Sequence, residues 1–285
     1  MLRFVLLFFF LFSLSAPAEI IETKDIRDVL PTVARLIETY GADKVLFIAD
    51  YDNSVAETLN ALGGEPWYEA LIEEHGPTVY RDLVLLQRAI FEVTPGRPVQ
   101  KETPEVIRQI QKARVRTMVL TSRNRHFAAV TLADLARMKI DFGAHTLQHA
   151  AIPARAFSII NDFDRKVLFT QGVFFTAGLP KGPALRNLLA RMHWRPKAIV
   201  FMDDRLKHAE SMEESFGFPG SGVEVVAFRY GATDDKVAGE RAAESHRHPT
   251  SLTPFADRIR ALIRAKHAGC HQLLNEIERL ASTPQ

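Results

Sequence analysis

Cysteine is almost absent from this sequence, and neither sign of charge dominates it. Cys270 is the single cysteine, so no disulfide forms within the chain and the core must hold the protein together. The 36 Lys and Arg residues nearly balance the 34 Asp and Glu residues. Charge therefore gives no reason to expect a nucleic acid or a membrane surface as a partner. The apolar fraction of 47% is sufficient for a hydrophobic core without disulfides.

An apolar run stands at the N-terminus. Residues Phe4 to Phe12 are all apolar, Arg3 precedes them, and Ala16-Pro17-Ala18 follows. A positive start, a short apolar run and a site of small residues are typical of a secretory signal peptide. The run is too short to span a bilayer comfortably, and an uncleaved anchor is the alternative. We expect removal of residues 1–18 and export to a periplasm or the medium, with no stable membrane insertion.

Four short apolar runs predict the strands of a parallel sheet. Continuous runs rich in Val, Ile, Leu, Met and Phe are typical of strands that are buried on both faces. The runs are Val45–Ala49, Thr117–Leu120, Ile199–Met202 and Val223–Phe228. Helical patterns lie at residues 26–40, 103–112, 127–138 and 183–192. This alternation predicts an α/β fold, with a doubly wound parallel sheet in a Rossmann-type core and helices on both faces.

Two segments do not fit this alternation. Residues 56–100 hold two amphipathic stretches and predict a helical cap insert within a core of residues 19–55 and 101–285. Residues 157–177 are rich in β-forming residues and predict a hairpin or an extra core strand. Further along, residues 231–252 are polar and predict a loop, and residues 254–280 predict a closing helix.

Polar side chains follow three of the predicted strands directly. They are Asp50 and Asp52 after the first strand, Thr121, Ser122 and Arg123 after the second, and Asp203 and Asp204 after the third. In an open parallel sheet, ligands bind beyond the carboxyl ends of the strands. Carboxylates gathered there repel one another unless a cation compensates, and oxygen ligands suit Mg²⁺. The sequence therefore predicts a magnesium site with one acid left free for chemistry.

These motifs, taken in order, resemble those of the haloacid dehalogenase superfamily of phosphohydrolases. The matching segments are Asp50-Tyr51-Asp52-Asn53-Ser54-Val55, Thr121 at a strand end, Lys181 in Leu179-Pro180-Lys181-Gly182, and the pair Asp203-Asp204. Within that superfamily, residues 172–176 followed by Lys181-Gly182 resemble an exported bacterial family of unknown function. A single such motif is weak because Asp is common at loop ends, whereas four in order are more specific.

The resemblance implies an exported, magnesium-dependent phosphomonoesterase that acts on a small phosphorylated substrate through an aspartyl-phosphate. Asp50 is then the nucleophile, and Asp52 protonates the leaving oxygen and later activates water. Thr121 and Lys181 bind the phosphoryl group, and Lys181 also offsets the charge of Asp50. Asp50, Asp203 and the backbone carbonyl of Asp52 hold Mg²⁺.

The remaining candidates have weaker arguments. Asp204 is expected to be a further metal ligand or to orient the ligands from outside. Ser122 lies among the substrate-binding candidates, and Arg123 is either a contact to the substrate phosphate or a surface charge. Lys166 competes with Lys181 for the lysine role, but it lies in a polar segment typical of a solvated turn. Lys181 is preferred because it opens a helix, where anions are stabilised.

Other patterns admit ordinary explanations. Two histidine pairs have the spacing of a zinc site on a helix, but no carboxylate motif accompanies either pair; they are His145 with His149, and His267 with His271 around Cys270. Aromatic residues of the insert, Trp67, Tyr68 and Phe91, are expected to belong to its core rather than to a substrate pocket. Two rival functions remain, a phosphonate or carbon–halogen hydrolase and an exported binding or effector protein without turnover.

Overall fold

The computed structural model describes residues 19–59, 61–76, 80–148, 158–160 and 165–245. The predicted signal peptide and the predicted closing helix lie outside these residues. No helix in the described ranges is both long and apolar enough to cross a membrane.

An eight-stranded sheet forms the centre of the described part. Ten strands lie in the described ranges, namely β1 (Glu19–Thr23), β2 (Val45–Ala49), β3 (Ala56–Glu57), β4 (Arg97–Pro98), β5 (Arg116–Thr121), β6 (Ser158–Ile160), β7 (Val167–Thr170), β8 (Val173–Phe175), β9 (Ala198–Asp203) and β10 (Glu224–Tyr230). All but β3 and β4 belong to this sheet. The order across the sheet is β1-β10-β9-β2-β5-β8-β7-β6. Along this order the six strands β1, β10, β9, β2, β5 and β8 pair in parallel. Strand β7 pairs antiparallel with β8 and with β6, and β3 and β4 form a separate antiparallel pair.

Helices cover both faces of this sheet. They are α1 (Val29–Tyr40), α2 (Glu65–His75), α3 (Tyr80–Val93), α4 (Thr103–Lys112), α5 (Ala128–Arg137), α6 (Lys181–Arg191), α7 (Leu206–Phe216) and α8 (Asp234–Ser245). Val45, Phe47 and Ala49 join one hydrophobic cluster with residues of α1, α4 and α5, whereas Leu46 and Ile48 join a second cluster with residues of α6 and α7. The prediction of a mixed α/β fold with a mostly parallel sheet is therefore confirmed.

The segment at 157–177 contains both of the predicted alternatives. Gln171 and Gly172 connect β7 to β8 with positive φ angles of 47° and 74°, the two-residue turn that matches strand twist. Strand β8 then pairs in parallel with β5, so it is also a core strand. A side chain at Gly172 would meet the backbone of Phe142 at 2.5 Å, so the turn requires glycine there.

Several elements were not predicted, namely helices α7 and α8 and strands β1, β3 and β4. The prediction of a loop at 231–252 is wrong for most of residues 231–245, the part that the structure describes, because Asp234–Ser245 forms helix α8. The side chains of this helix are polar, and tertiary contacts stabilise it: Arg241 lies 2.7 Å from Glu69 of α2, and Lys236 donates to the carbonyl of Thr58 at 2.7 Å. Strand β1 was also missed, since it is a short edge strand beside β10.

Helices α6 and α7 approach each other closely at Gly182. A Cβ atom at this position would lie 2.1 Å from the carbonyl oxygen of Ser211 and 2.2 Å from the hydroxyl of Ser215. Only a residue without a side chain allows this approach. Because Lys181 is the first residue of α6, the same contact determines where the lysine side chain enters the protein.

Gly182→Ala is expected to lower the free energy of unfolding by about 1–3 kcal/mol, because the added methyl group overpacks the contact between α6 and α7. Chemical denaturation of both proteins measures the difference. The matched control is Gly239→Ala in α8, where no atom lies within 4 Å of the added Cβ. The control should be neutral or stabilising by up to about 1 kcal/mol. Equal effects of the two substitutions would contradict the packing argument.

Candidate active site

A buried lysine joins the ends of two neighbouring strands. Asp50 follows β2 and Asp203 ends β9, and the N–H of Asp50 donates to the carbonyl of Met202 at 2.8 Å. The Nζ atom of Lys181 lies 2.5 Å from Oδ1 of Asp50 and 2.5 Å from Oδ2 of Asp203. Lys181 and Asp203 are fully buried, and Asp50 is 6% exposed. Three residues from distant parts of the sequence thus form one charge cluster.

The second oxygen of Asp203 is held by the start of α7. Its Oδ1 atom accepts the backbone N–H of Arg205 at 2.9 Å and lies 2.9 Å from Nδ1 of His208. Burial lowers the pKa of His208, although Asp203 opposes this, so we assign the proton of the neutral ring to Nδ1. His208 was missed by sequence reasoning because it carries no motif. Only the start of a helix directly after β9 brings it back to Asp203.

Three carboxylates gather around one lysine. Oxygen atoms of Asp50, Asp203 and Asp204 all lie within 4.8 Å of one another. Lys181 contributes one positive charge against these three acids. This geometry is suited to a divalent cation that prefers oxygen ligands, because the cation would balance the remaining charge.

The pKa values of the acids reflect this imbalance. Burial, together with repulsion from Asp203 and Asp52, raises the pKa of Asp50 to about 7 against the attraction of Lys181. Burial, followed by repulsion from Asp50 and Asp203, raises the pKa of Asp204 well above its usual range. Burial acts in the same direction on Asp203, but Lys181 and His208 outweigh it and lower the pKa.

Lys181 keeps its charge in spite of its burial. Burial alone would lower its pKa, but Asp203 and Asp50 outweigh that effect and raise the pKa to about 12. The side chain therefore remains a cation at neutral pH. The competing candidate Lys166 is exposed on the surface.

The carboxylate of Asp52 does not lie in the acid cluster. Its two oxygens accept hydrogen bonds from Nε and Nη2 of Arg123, at 2.8 and 2.7 Å. The assignment of Asp52 to the metal rests on its backbone carbonyl and remains a prediction. Arg123 is not a surface charge, because its side chain is only 8% exposed. Its predicted contact with a substrate phosphate stays a prediction.

The other two strand-end residues differ in exposure. Thr121 is 1% exposed, and its hydroxyl accepts the backbone N–H of Arg123 at 3.1 Å. Ser122 is exposed and lines the cavity described next. Their predicted contacts with a phosphoryl group stay predictions.

A cavity of about 580 Å³ opens over the acids. Asp50, Asp52, Asp204 and Lys181 all line it. Helices α2 and α3 contribute aromatic side chains to its boundary, namely Tyr68, Tyr80 and Phe91. The expected core position is found for Trp67, which is buried between α2 and α3. Phe91 lies in the same hydrophobic cluster and Tyr68 packs against it, but both also line the cavity.

Histidines form no metal-binding cluster in the described ranges. There, the acid cluster is the one group of three or more His, Cys, Asp or Glu side chains whose spacing suits a metal ion. Neither histidine pair with zinc-site spacing lies wholly within the described residues, since these do not include His149, His267, Cys270 and His271.

A family model matches residues 22–248 of the chain, and its description is "Protein of unknown function (DUF2608)". The chain belongs to this family. It is also 24% identical over 280 residues to a protein of Chlamydia trachomatis serovar D named "Putative outer membrane protein". That alignment covers 90% of this chain and 92% of the relative.

This match corrects the assignment to the haloacid dehalogenase superfamily. The family that matches most of the chain is DUF2608, so the superfamily assignment was wrong, as was the placing of a narrower family inside it. The error has a physical origin. Polar residues at the carboxyl ends of neighbouring parallel strands meet at one edge in any fold of this kind, and short motifs there carry little information about ancestry.

Asp204→Asn is expected to stabilise the metal-free protein at about pH 8. Because the folded pKa of Asp204 lies above 3.8, the associated stability is present at lower pH and is lost as the pH rises through the folded pKa. The neutral side chain removes this loss. We expect the midpoint of thermal unfolding in chelator to rise by about 2–4 °C.

The same variant should bind Mg²⁺ on the order of 10-fold more weakly by calorimetry, because a charged oxygen ligand is lost. Asp43→Asn is the control, since the side chain of Asp43 is 69% exposed. Unchanged magnesium affinity in Asp204→Asn would exclude the acid cluster as the metal site.

Proposed function

We propose that the mature chain is an exported, magnesium-dependent phosphomonoesterase with Asp50 as its nucleophile. The observation that carries this proposal is the buried contact of Lys181 with Asp50 and Asp203 beside an open cavity. Removing two acids and a lysine from water costs free energy. A function of the cluster is a reason for a protein to carry this cost. Clusters of ionisable groups with shifted pKa values are typical of catalytic sites.

The geometry around Asp50 suits attack on phosphorus. Lys181 contacts Oδ1 of Asp50, and the residue lines the cavity through which a phosphate reaches it. The nucleophilic oxygen forms a bond to phosphorus while the ester oxygen departs with its electron pair. Water then cleaves the aspartyl-phosphate, releases inorganic phosphate and restores the carboxylate. Throughout, the cationic Lys181 offsets the charge that collects between Asp50 and the phosphoryl oxygens.

Asp52 is proposed to transfer protons in both steps. It lies two residues beyond Asp50 and its side chain lines the same cavity. An alkoxide leaving group needs a proton, and the water that hydrolyses the intermediate must lose one. The presence of this second acid favours phosphoester hydrolysis over phosphonate or carbon–halogen cleavage.

Asp50, Asp203 and Asp204 are proposed to hold Mg²⁺. Their charge exceeds that of Lys181, and burial with mutual repulsion raises the pKa of two of them, which a bound cation would relieve. When bound, the ion would compensate the negative charge of the phosphoryl group.

Helices α2 and α3 are proposed to form a cap that selects the substrate. They supply Tyr68, Tyr80 and Phe91 to the cavity, opposite the acids of the strand ends. Closure of such a cap would exclude bulk water from the aspartyl-phosphate. Export is supported by the predicted signal peptide and by the printed name of the Chlamydia relative.

Asp50→Asn is expected to reduce turnover on the order of 10⁴-fold or more, because the amide is not a nucleophile for phosphorus. The rate is measured on a panel of phosphomonoesters that includes p-nitrophenyl phosphate, together with the circular dichroism spectrum. Asp43→Asn is the matched control at an exposed site. A folded Asp50→Asn protein with the wild-type rate would refute the nucleophile. A wild-type protein that hydrolyses no phosphomonoester would favour the rival binding or effector role.

Chelation is expected to abolish turnover, and Mg²⁺ is expected to restore it. The physical reason is that Lys181 alone does not balance the acid cluster and a dianionic phosphate group. The measurement is the hydrolysis rate before chelation, after exhaustive removal of metal, and after addition of Mg²⁺ or Zn²⁺. Full activity of the metal-free protein would show that the acids act without a metal.

A further inference from the structure

Arg123 is held from all sides by protein groups. Two of its nitrogens donate to the two oxygens of Asp52, and Nη1 donates to the hydroxyl of Thr131 at 2.9 Å. A planar guanidinium that contacts a carboxylate at two points fixes both the distance and the direction of that carboxylate. A lysine, with its single rotatable ammonium group, does not reproduce this contact.

Aromatic rings hold the guanidinium group in place. Its central carbon lies 4.4 Å from the ring centroid of Tyr51, 4.4 Å from that of Phe91 and 5.6 Å from that of Phe127. The hydroxyl of Tyr51 in turn donates to Asp134 at 3.1 Å. Stacking of this kind favours a cation and restricts its rotation. Arg123 is therefore rigid before any substrate arrives.

The side chain of Asp52 is more exposed than that of its partner. The side chain of Asp52 is 42% exposed, against 8% for Arg123. The chain turns sharply beside it, since Asn53 has a positive φ of 59°. A carboxylate at such a turn would sample several rotamers if nothing held it. The two-point contact selects one of them.

We propose that Arg123 is a positioning residue that holds the carboxylate of Asp52 at the cavity, ready to accept a proton from the water that cleaves the aspartyl-phosphate. A carboxylate that receives two N–H groups is held as an acceptor, which is the form this step needs. The inference rests on the proposed function and assigns Arg123 a role within it. It differs from direct binding of the substrate phosphate, because three guanidinium N–H groups already have partners in the protein.

The contact between Phe91 and Arg123 connects the pair of Arg123 and Asp52 to the proposed cap helices. Phe91 belongs to α3 and packs in one hydrophobic cluster with Trp67 and Leu71 of α2. Movement of α3 would remove one stacking ring from Arg123. The contact of Phe91 with Arg123 therefore connects the position of α3 to the position of the Asp52 carboxylate.

Arg123→Lys is expected to lower kcat on p-nitrophenyl phosphate by about 10- to 100-fold and to lower KM with it, so that kcat/KM changes by less than about twofold. The nitrophenolate leaving group needs no proton, so the first step stays fast and the second becomes limiting. Rapid mixing should therefore show a burst of nitrophenolate approaching one per active site. Arg116→Lys is the matched control. Arg116 is the first residue of β5, at the opposite end of that strand from Thr121, and its guanidinium carbon lies 4.8 Å from the ring centroid of Trp194.

A double-mutant cycle with Asp52→Asn separates a role through Asp52 from a general structural role. In the Asp52→Asn background, Arg123→Lys should change kcat by less than about twofold, because the group it positions is already absent. Phe91→Leu should give a smaller loss of kcat with the same burst, and it provides a second test if Arg123→Lys does not fold.

Three results would overturn the inference. They are equal losses of kcat in both backgrounds, a raised KM with unchanged kcat, and a lowered kcat without a burst. The first indicates a structural role, the second a substrate contact, and the third an effect on the first step. A wild-type protein without phosphatase activity would instead overturn the proposed function, and this inference with it.

Discussion

The burial of Lys181 between Asp50 and Asp203 is the constraint on which the rest of this structure depends. A lysine that is fully removed from water is tolerated only when acids of opposite charge contact it closely, as both carboxylates do here at 2.5 Å. Meeting this requirement needs adjacent β2 and β9, whose ends carry the acids, and a helix α6 that begins at the lysine. Gly182 makes the last condition possible, because it lets α6 pack against α7.

The same burial explains why the acid cluster could hold a cation. Lys181 offers one positive charge to three acids, and burial together with repulsion from Asp50 and Asp203 raises the pKa of Asp204. A bound divalent cation would offset the remaining negative charge. Membership of a family of unknown function names no reaction, so the proposed chemistry stands on this charge balance and on the cavity.

Ion pairs connect α2 to neighbouring elements beside the cavity. Arg205, beside the acids, contacts Glu65 and Glu69 of α2, and Arg241 of α8 contacts Glu69 from the other side. These partly exposed pairs contribute little individually to stability, but together they set the position of α2 relative to the strand ends. These ion pairs hold α2 beside the cavity together with the hydrophobic cluster that α2 shares with α3.

The sequence by itself determined four strands of the central sheet and the acids beside them, because these apolar runs are buried and three of them end in a polar cluster. Val45–Ala49 was predicted with its exact bounds, and Asp50 and Asp203 were placed at one sheet edge. Tertiary structure alone decided the partners. Arg123, two residues after Thr121, has no sequence signal for a contact with Asp52, 71 residues away. Helix α8 contacts Glu69 of α2 through Arg241 and Glu57 through Lys236, and its own sequence predicts neither contact. Local patterns report burial and strand ends, whereas side-chain pairing depends on which elements the fold brings together.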